Sequence, residues 1–303
     1  RDQDPMFVPI SWDEALDTVA GRLNALRAKG ESHRFGLLYG RGWGATDSGL
    51  FPDFAALYGS PNVGLGHSSM CADASEHAKL ILDGNHGYNA YDYAHTNYML
   101  IFGAGFLEAF RPFNANMQVW GHIRTKSPKT RVTVVDVHLN TTGSAADRLL
   151  KIKPGTDGAL ALAIAHVILT EGLWDRPFVG DFNDPSQRFI AGQEIDPASF
   201  TQRWVTGLPE WWNAVLKDCT PEWASQITTI PTKHILQTAR EFGSTRPAMA
   251  LFERGATAHT NGCYNGMAIH SLNALVGSMF AEGGLAYQMK SPAGKLPFAA
   301  SDF

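Results

Sequence analysis

Apolar residues occur along the chain in two patterns, one at helical spacing and one in short unbroken runs, and their alternation is typical of an α/β protein. After Ser11, apolar residues recur every three or four positions and predict a first helix that ends near Gly30. Further helices are predicted at about 46–58, 76–81, 114–126, 158–171, 232–242 and 264–276, and strands at 35–39, 98–102, 131–135, 149–153 and 248–252. Residues 181–223 are rich in Trp, Pro and Gly without periodicity, which indicates an insertion with little regular structure.

Polar or glycine-containing loops follow several of the predicted strands. Loop 40–44 follows the first strand, 103–105 the second and 253–262 the last, and Asp136 directly follows the strand at 131–135. Because ligands bind at the carboxyl ends of the strands in open α/β sheets, these loops are candidates for a binding site. Plain turn glycines, and a turn or cap role for Asp136, explain the same residues. Glu108 stands where the nicotinamide dinucleotide fingerprint needs its third glycine, so a plain nicotinamide site is disfavoured.

The run Pro154-Gly155-Thr156-Asp157 opens a predicted helix that is apolar almost all round and is therefore expected to be buried. Thr156 or Asp157 can cap this helix. A carboxylate at the helix start can also accept two adjacent N–H groups, which is the pattern that the edge of a guanine presents. The sequence leaves both roles open.

Cys71 lies in the Gly- and Ser-rich stretch 64–75, at the point where a loop enters a predicted helix. The positive end of a helix favours the thiolate, and the thiolate is the form that binds a soft or high-valent metal. The alternative is a small buried hydrophobic residue, since free cysteines are often buried.

Length, charge and cysteine spacing narrow the class of protein. The 303 residues suggest about two domains, and the net charge of −4 gives no indication of a nucleic-acid partner. Cys71, Cys219 and Cys263 are far apart, and without a C-x-x-C pair this stretch holds no zinc ribbon or iron–sulfur cluster of its own. No apolar run reaches the roughly 18–20 residues of a membrane span.

Several runs of the sequence, taken in their order, resemble the central part of the molybdopterin oxidoreductases of the dimethyl sulfoxide reductase family. The matching runs are 10–16 (ISWDEAL), 134–136 (VVD), 152–162 (IKPGTDGALAL), 255–262 (GATAHTNG), 272–277 (LNALVG) and the pair 283–284 (GG). The context of Cys71 is similar to the polysulfide, thiosulfate, tetrathionate and arsenate reductase branch. Val137 and His138 depart from the Pro-Arg that the family usually has after the strand-end Asp, which puts side-chain contacts just after Asp136 in doubt.

The resemblance implies a bis(molybdopterin guanine dinucleotide) cofactor that carries Mo or W, with Cys71 as the metal ligand. His67 is close to Cys71 in sequence and is a candidate catalytic contact to substrate or a metal-bound oxo group; a hydrogen-bonded loop histidine is the alternative. The residues that would bind the cofactor are Gly42, Gly103, Gly105, Asp136, Pro154, Gly155, Thr156, Asp157, Arg254, Gly255, His259, Thr260 and Asn261.

The family's fold leads us to expect two Rossmann-like α/β/α lobes with the cofactor in the crevice between them. One lobe would be discontinuous, made of residues 1–89 and 247–303, and would carry the metal-ligand loop. Residues 90–246 would form the inserted, dinucleotide-binding lobe.

The function implied is a two-electron transfer of an oxygen or sulfur atom with a small redox substrate, by a chain that is a fragment of a larger enzyme and inactive alone. A 4Fe–4S centre in an N-terminal part outside this chain, an iron–sulfur electron-transfer subunit, a membrane anchor subunit and a periplasmic location are expected with it. The alternative is a structural, electron-transferring subunit similar to the large iron–sulfur subunit of respiratory complex I, for which a metal-ligand cysteine would be unnecessary. Substrate, metal and direction of reaction stay open.

Overall fold

The structure, a computed structural model, describes residues 7–39, 47–65 and 71–289. Their contacts define two compact units, residues 7–65 and residues 71–289. The helices of this described part are α1 Trp12–Ala28, α2 Asp47–Tyr58, α3 Asp73–Asp83, α4 Phe113–Thr125, α5 Thr141–Ala145, α6 Asp157–Thr170, α7 Arg176–Val179, α8 Leu208–Ala214, α9 Pro221–Thr228, α10 Thr232–Ser244, α11 Arg254–Thr257 and α12 Gly262–Leu275. Its strands are β1 Gly36–Tyr39, β2 Asn62–Leu65, β3 Asn89–Tyr91, β4 Tyr98–Phe102, β5 Arg131–Asp136, β6 Arg148–Lys151, β7 Gly180–Phe182, β8 Phe200–Gln202, β9 Ala248–Phe252 and β10 Leu285–Tyr287.

The first unit contains the helix predicted after Ser11. The Ser11 hydroxyl accepts a hydrogen bond from the Glu14 backbone N–H at 3.1 Å, which satisfies one of the free N–H groups at the start of α1. Strands β1 and β2 pair in parallel, with Gly36 opposite Asn62. The predicted cap and first strand are therefore confirmed.

A four-stranded parallel sheet in the order β6-β5-β4-β9 forms the centre of the second unit. Strand β4 has a partner on each side, and Phe102 at its end is level with Val135 and Phe252. All five residues of β4 are buried, as expected of an unbroken apolar run in a sheet that is covered on both faces.

Each face of this sheet packs against helices. Tyr98, Leu100 and Phe102 belong to a core that includes the apolar residues of α6, α10 and α12. Met99 and Ile101 point the opposite way and pack with residues of α4. The expected α/β class is confirmed, and the carboxyl ends of the sheet strands lie at one edge.

The insertion predicted at 181–223 has more regular structure than its sequence indicates. Strands β7 and β8 form an antiparallel pair, and α8 and α9 follow them. These elements are too short to show a period in the sequence, and a core of buried aromatic rings stabilises them, namely Trp174, Phe182, Phe189, Phe200 and Trp212.

The predicted boundary near residue 246 does not coincide with the structure. Residues 248–252, expected in a different lobe from residues 98–102, form β9 and pair with β4 in one sheet. Residues 71–89, expected with the first lobe, lie in the second unit.

Among the described residues, no helix combines the length and the apolar character needed to cross a bilayer.

Candidate functional site

Gly103 and Gly255 bring the loops after β4 and β9 into direct contact. The Gly255 backbone N–H donates to the Gly103 carbonyl at 3.0 Å. Gly103 has a φ of +53°, and a Cβ on it would lie 2.4 Å from the backbone nitrogen of Ala256. Only glycine permits this approach. Two of the strand-end loops predicted from the sequence therefore form one surface.

Gly105 and Glu108 lie in a loop that differs from a nicotinamide-binding turn. Ten residues, 103–112, separate β4 from α4, instead of the tight turn that opens a helix in the fingerprint. The Glu108 carboxylate accepts from the backbone N–H groups of Thr141 and Thr142, next to the start of α5. Glu108, which stands in place of the third glycine of the fingerprint, thus accepts hydrogen bonds from free N–H groups at the start of α5.

Asp136 ends β5, and both of its carboxylate oxygens have partners nearby. One accepts from the Val137 N–H at 2.7 Å and the other from the Asn140 side chain at 2.8 Å. The His138 Nδ1 lies 3.4 Å from the first oxygen. Asn140 in turn caps α5. The turn role that the sequence left open is therefore present.

Asp157 is the first residue of α6, and it is only 2% exposed. Burial raises the pKa of its carboxyl to about 6; Asp136 adds to this rise, whereas its own backbone N–H and His259 oppose it. Thr156 occupies the cap position of α6, but its hydroxyl donates to the Lys153 carbonyl at 2.7 Å. Asp157 is therefore a buried acid close to two predicted site residues.

The turn 153–156 lies against the loop 254–261. Gly155, with a φ of +76°, faces the His259 ring: a Cβ on Gly155 would be 3.6 Å from its Cγ. The His259 Nε2 lies 2.9 Å from the Gly255 carbonyl oxygen. His259, Thr260 and Asn261 are exposed and border the same surface.

Asn265, which lies outside every matching run of the sequence, joins these segments. Its side-chain N–H₂ donates to the carbonyls of Ala256 at 2.9 Å and Gly155 at 3.3 Å, and its side-chain oxygen accepts from the Gly158 N–H at 3.2 Å. An amide on the buried face of α12, one turn before Ala268, is the signal that could have identified it.

A cavity of about 590 Å³ lies beside Pro154. Lys151, Lys153 and His234 contribute its basic groups. The Nδ1 atom of His234 is buried and has no hydrogen-bond partner within the described part of the chain. Two lysines and a histidine therefore line the cavity next to the turn that contains Gly155.

Cys71 is brought together with Arg254. Cys71 is half-buried, two residues before α3, and the Arg254 Nε donates to its sulfur at 2.9 Å. Arg254 also donates to the Tyr88 hydroxyl at 3.1 Å and forms an ion pair with Glu253. The predicted loop–helix position of Cys71 is confirmed, and its arginine neighbour is itself a predicted site residue.

Three basic side chains surround Tyr88. Arg111 donates to the Tyr88 hydroxyl at 2.9 Å, in addition to Arg254, and the Lys79 nitrogen lies 5.4 Å from the ring centroid. Lys79 also donates to the Gly87 carbonyl. No sequence signal connects Lys79, Tyr88 and Arg111 with Cys71, because only the fold brings them together.

Burial shapes the charges of this cluster. It lowers the pKa of Lys79, which the charge of Glu253 counteracts, and it raises the pKa of Glu253, against the influence of Arg254. The pKa of Arg254 is raised: burial opposes this, but the hydrogen bond to Cys71 and the charge of Glu253 outweigh it. Arg254 is thus a permanent cation.

Two further predicted residues, Gly42 and His67, lie outside the described residues.

Cys71, Arg254 and the glycine-lined strand ends lie in one unit, whereas the resemblance places Cys71 and residues 90–246 in different lobes. The family model for molybdopterin oxidoreductases matches residues 1–301, and the chain belongs to this family. The predicted membership is therefore confirmed.

Two relatives are the molybdopterin-containing subunits of arsenate respiratory reductases. The chain is 43% identical to that of Shewanella sp. (strain ANA-3) over 96% of its length, and 36% identical to that of Chrysiogenes arsenatis over 98%. It spans 34% of the length of each. The fold is similar to acetylene hydratase from Pelobacter acetylenicus, with a TM-score of 0.64, 23% identity and coverage of 93% of this chain and 34% of that one.

Proposed function

We propose that this chain is part of the catalytic subunit of an oxidoreductase that binds bis(molybdopterin guanine dinucleotide) with Mo or W. The observation that carries the proposal is the convergence of Cys71, Arg254 and the glycine-lined strand ends in the second unit. When bound, the cofactor would supply two-electron transfer of an oxygen or sulfur atom. The family membership supports this reading and does not favour the structural-subunit alternative.

The chemistry of the residues present fits this cofactor. Thiolate sulfur suits a soft or high-valent metal, and Cys71 is accessible enough to bind one. Asp157, with a pKa of about 6, is mostly ionised at pH 7 and can accept two N–H groups of a guanine. Lys151 and Lys153 in the adjacent cavity suit phosphate groups.

Each predicted residue would then have a definite task. Cys71 would be the metal ligand, and Asp157 would hold a guanine with Pro154, Gly155 and Thr156 around it. Asp136, whose carboxylate already orders its turn, would contact a ribose through its remaining accepting capacity. Gly103, Gly105 and the loop 254–261 would line the dinucleotides through backbone N–H groups. Gly42 and His67 keep the roles proposed from the sequence.

We further propose that the substrate is a small oxyanion that the enzyme reduces. Lys79, Arg111 and Arg254 place positive charge around Tyr88, close to Cys71. Since the Tyr88 hydroxyl accepts from two guanidinium groups, its own hydrogen is available to donate to an anion. The two arsenate reductase relatives support arsenate as the first substrate to test.

The remaining parts of the proposal concern the longer protein. We propose a second lobe that encloses the cofactor, a 4Fe–4S centre outside this chain, and partner subunits that transfer electrons and anchor the complex. The description of the two relatives as subunits supports an assembly. A periplasmic location is proposed from the family resemblance alone.

Elemental analysis of the full-length protein, beside a Cys71→Ser variant, tests the function. We expect stoichiometric Mo or W in the parent, and in C71S a changed metal spectrum with arsenate reduction lowered by more than roughly a hundredfold, because the sulfur ligand is lost. Cys263→Ser, at a half-buried cysteine outside the cluster, is the matched control and should keep spectrum and activity. A parent protein with iron but neither Mo nor W would contradict the proposal.

A further inference from the structure

The guanidinium of Arg254 is held by contacts at each of its three nitrogens. Nε donates to the Cys71 sulfur at 2.9 Å, Nη2 donates to the Tyr88 hydroxyl at 3.1 Å, and Nη1 pairs with Glu253. Arg111 donates to the same hydroxyl at 2.9 Å and helps to hold it in place. The orientation of Nε toward sulfur is therefore determined by groups on three different segments of the chain.

From this geometry we propose that Arg254 is a positioning residue that adjusts the electron density on the Cys71 sulfur, and through it the reduction potential of the metal that Cys71 binds. The inference rests on the proposed function and goes beyond it. A hydrogen bond to a ligating sulfur, and a fixed positive charge beside it, stabilise the electron-rich reduced state of a metal site. Arg254 supplies both, so it raises the reduction potential.

A purely structural role for Arg254 does not account for these contacts. The segments that carry Cys71 and Arg254 are already joined by a buried hydrogen bond of 2.6 Å between the hydroxyls of Ser75 and Thr257. Helices α3 and α12 pack against each other as well. Because this scaffold is independent of the guanidinium, variants of Arg254 are expected to fold and to load the cofactor.

The test is a potentiometric titration of the purified full-length holoenzyme, followed by the electron paramagnetic resonance of the pentavalent metal. Arg254→Gln removes the positive charge and the three N–H contacts of the guanidinium. Arg254→Lys keeps a positive charge, but a single ammonium group cannot contact the sulfur, the phenol and the carboxylate together. We expect the midpoint potential to shift downward in both variants, and further in R254Q. Arg240→Gln, at an exposed arginine paired with Glu171, is the matched control and should leave the potential unchanged.

Steady-state kinetics separate adjustment of the potential from substrate binding. We expect kcat to fall in R254Q by roughly tenfold or more, with a smaller change in KM, because a metal site of lower potential is re-reduced less readily by its electron donor. A raised KM with an unchanged potential would overturn the inference and make Arg254 a substrate-binding residue. Loss of the metal from both variants would also overturn it, since Arg254 would then retain the cofactor. Absence of Mo and W from the parent would instead overturn the proposed function.

Discussion

Asp157 combines two properties that rarely occur together, since it is both the first residue of a helix and an almost fully buried acid. The N-terminus of α6 favours its charge, whereas burial disfavours it, and burial has the larger effect. With a pKa of about 6, the carboxyl is mostly ionised at pH 7 in spite of its burial. The cofactor-free protein therefore carries an energetic cost at this position.

Replacement of Asp157 by Asn is expected to stabilise the cofactor-free protein above pH 6. The folded state holds the Asp157 proton more tightly than the unfolded chain, whose Asp titrates near 3.8, so stability is fully present below about pH 4 and falls as the pH rises to about 6. The difference corresponds to at most about 3 kcal/mol. Urea unfolding of parent and D157N at several pH values measures it, and parallel pH profiles would contradict it.

Asp147 provides a comparison of opposite sign. Burial would raise the pKa of its carboxyl, but hydrogen bonds from Arg124, Lys129 and the Val132 N–H outweigh burial and hold it well below its usual range. Its contribution to stability is therefore present above the unfolded pKa and is lost as the pH falls. The D147N variant should destabilise the protein at pH 7, whereas D157N should not.

The residues of the candidate site differ in how far the sequence could identify them. Cys71, Asp157 and Arg254 lie in runs whose chemistry is visible locally. Asn265 has only a weaker local signal, an amide on the buried face of α12. Tyr88 has none, because its importance comes from contacts between segments far apart in the chain. Hydrogen bonds across the fold have no periodic signature in sequence.

At the scale of elements, the contact of Gly103 with Gly255 determines how closely the loops after β4 and β9 approach. Any side chain at Gly103 would overlap the backbone of the second loop and would also require an unfavourable φ. The close approach of the two loops at the carboxyl ends of β4 and β9 thus requires glycine at position 103.

The Gly103→Ala variant is expected to lose about 2–4 kcal/mol of stability, the sum of an overpacking cost and a left-handed backbone cost. It should also lose cofactor, because the loop after β9 is displaced. Urea unfolding and metal content measure the two effects. Gly121→Ala, on the exposed side of α4 with no atom within 4 Å of its added Cβ, is the control and should stabilise the protein by up to about 1 kcal/mol. Equal stability of G103A and G121A would contradict the prediction.

Elements with a strong pattern were predicted well, and short ones were not. Strand β4 and strand β9 match their predicted bounds, since an unbroken apolar run between polar loops has few other interpretations. The pair β7 and β8 was missed, because strands of three residues show no alternation. Their stability comes from aromatic packing, which the composition indicates but does not locate.

At the scale of the whole molecule, the second unit contains a complete sheet with helices on both faces. Its aromatic core includes Trp212, which is fully buried, stacks on His166 at 5.5 Å between ring centroids and donates to the Gln193 carbonyl at 2.9 Å. Because this unit has its own sheet and its own buried apolar core, it is expected to fold without the rest of the chain.

Residues 70–290, produced as a separate chain, should therefore show a cooperative urea transition and near-ultraviolet circular dichroism from ordered aromatic rings. Trp212→Ala in this chain should cost about 3–5 kcal/mol, as expected for a large cavity. Trp204→Ala, at a side chain that is 78% exposed, is the matched control and should change stability by about 0.5 kcal/mol or less. A gradual, non-cooperative transition of the parent segment would contradict independent folding.

The strand order β6-β5-β4-β9 also determines when this surface can exist during protein synthesis. The ribosome makes β4 and β5 early, but the second neighbour of β4 appears only with residues 248–252, and Asn265 follows later. Until then the nascent chain exposes one edge of an apolar strand, which is prone to pair with other chains. The proposed cofactor could therefore bind at this edge only after the segment through Asn265 has emerged from the ribosome.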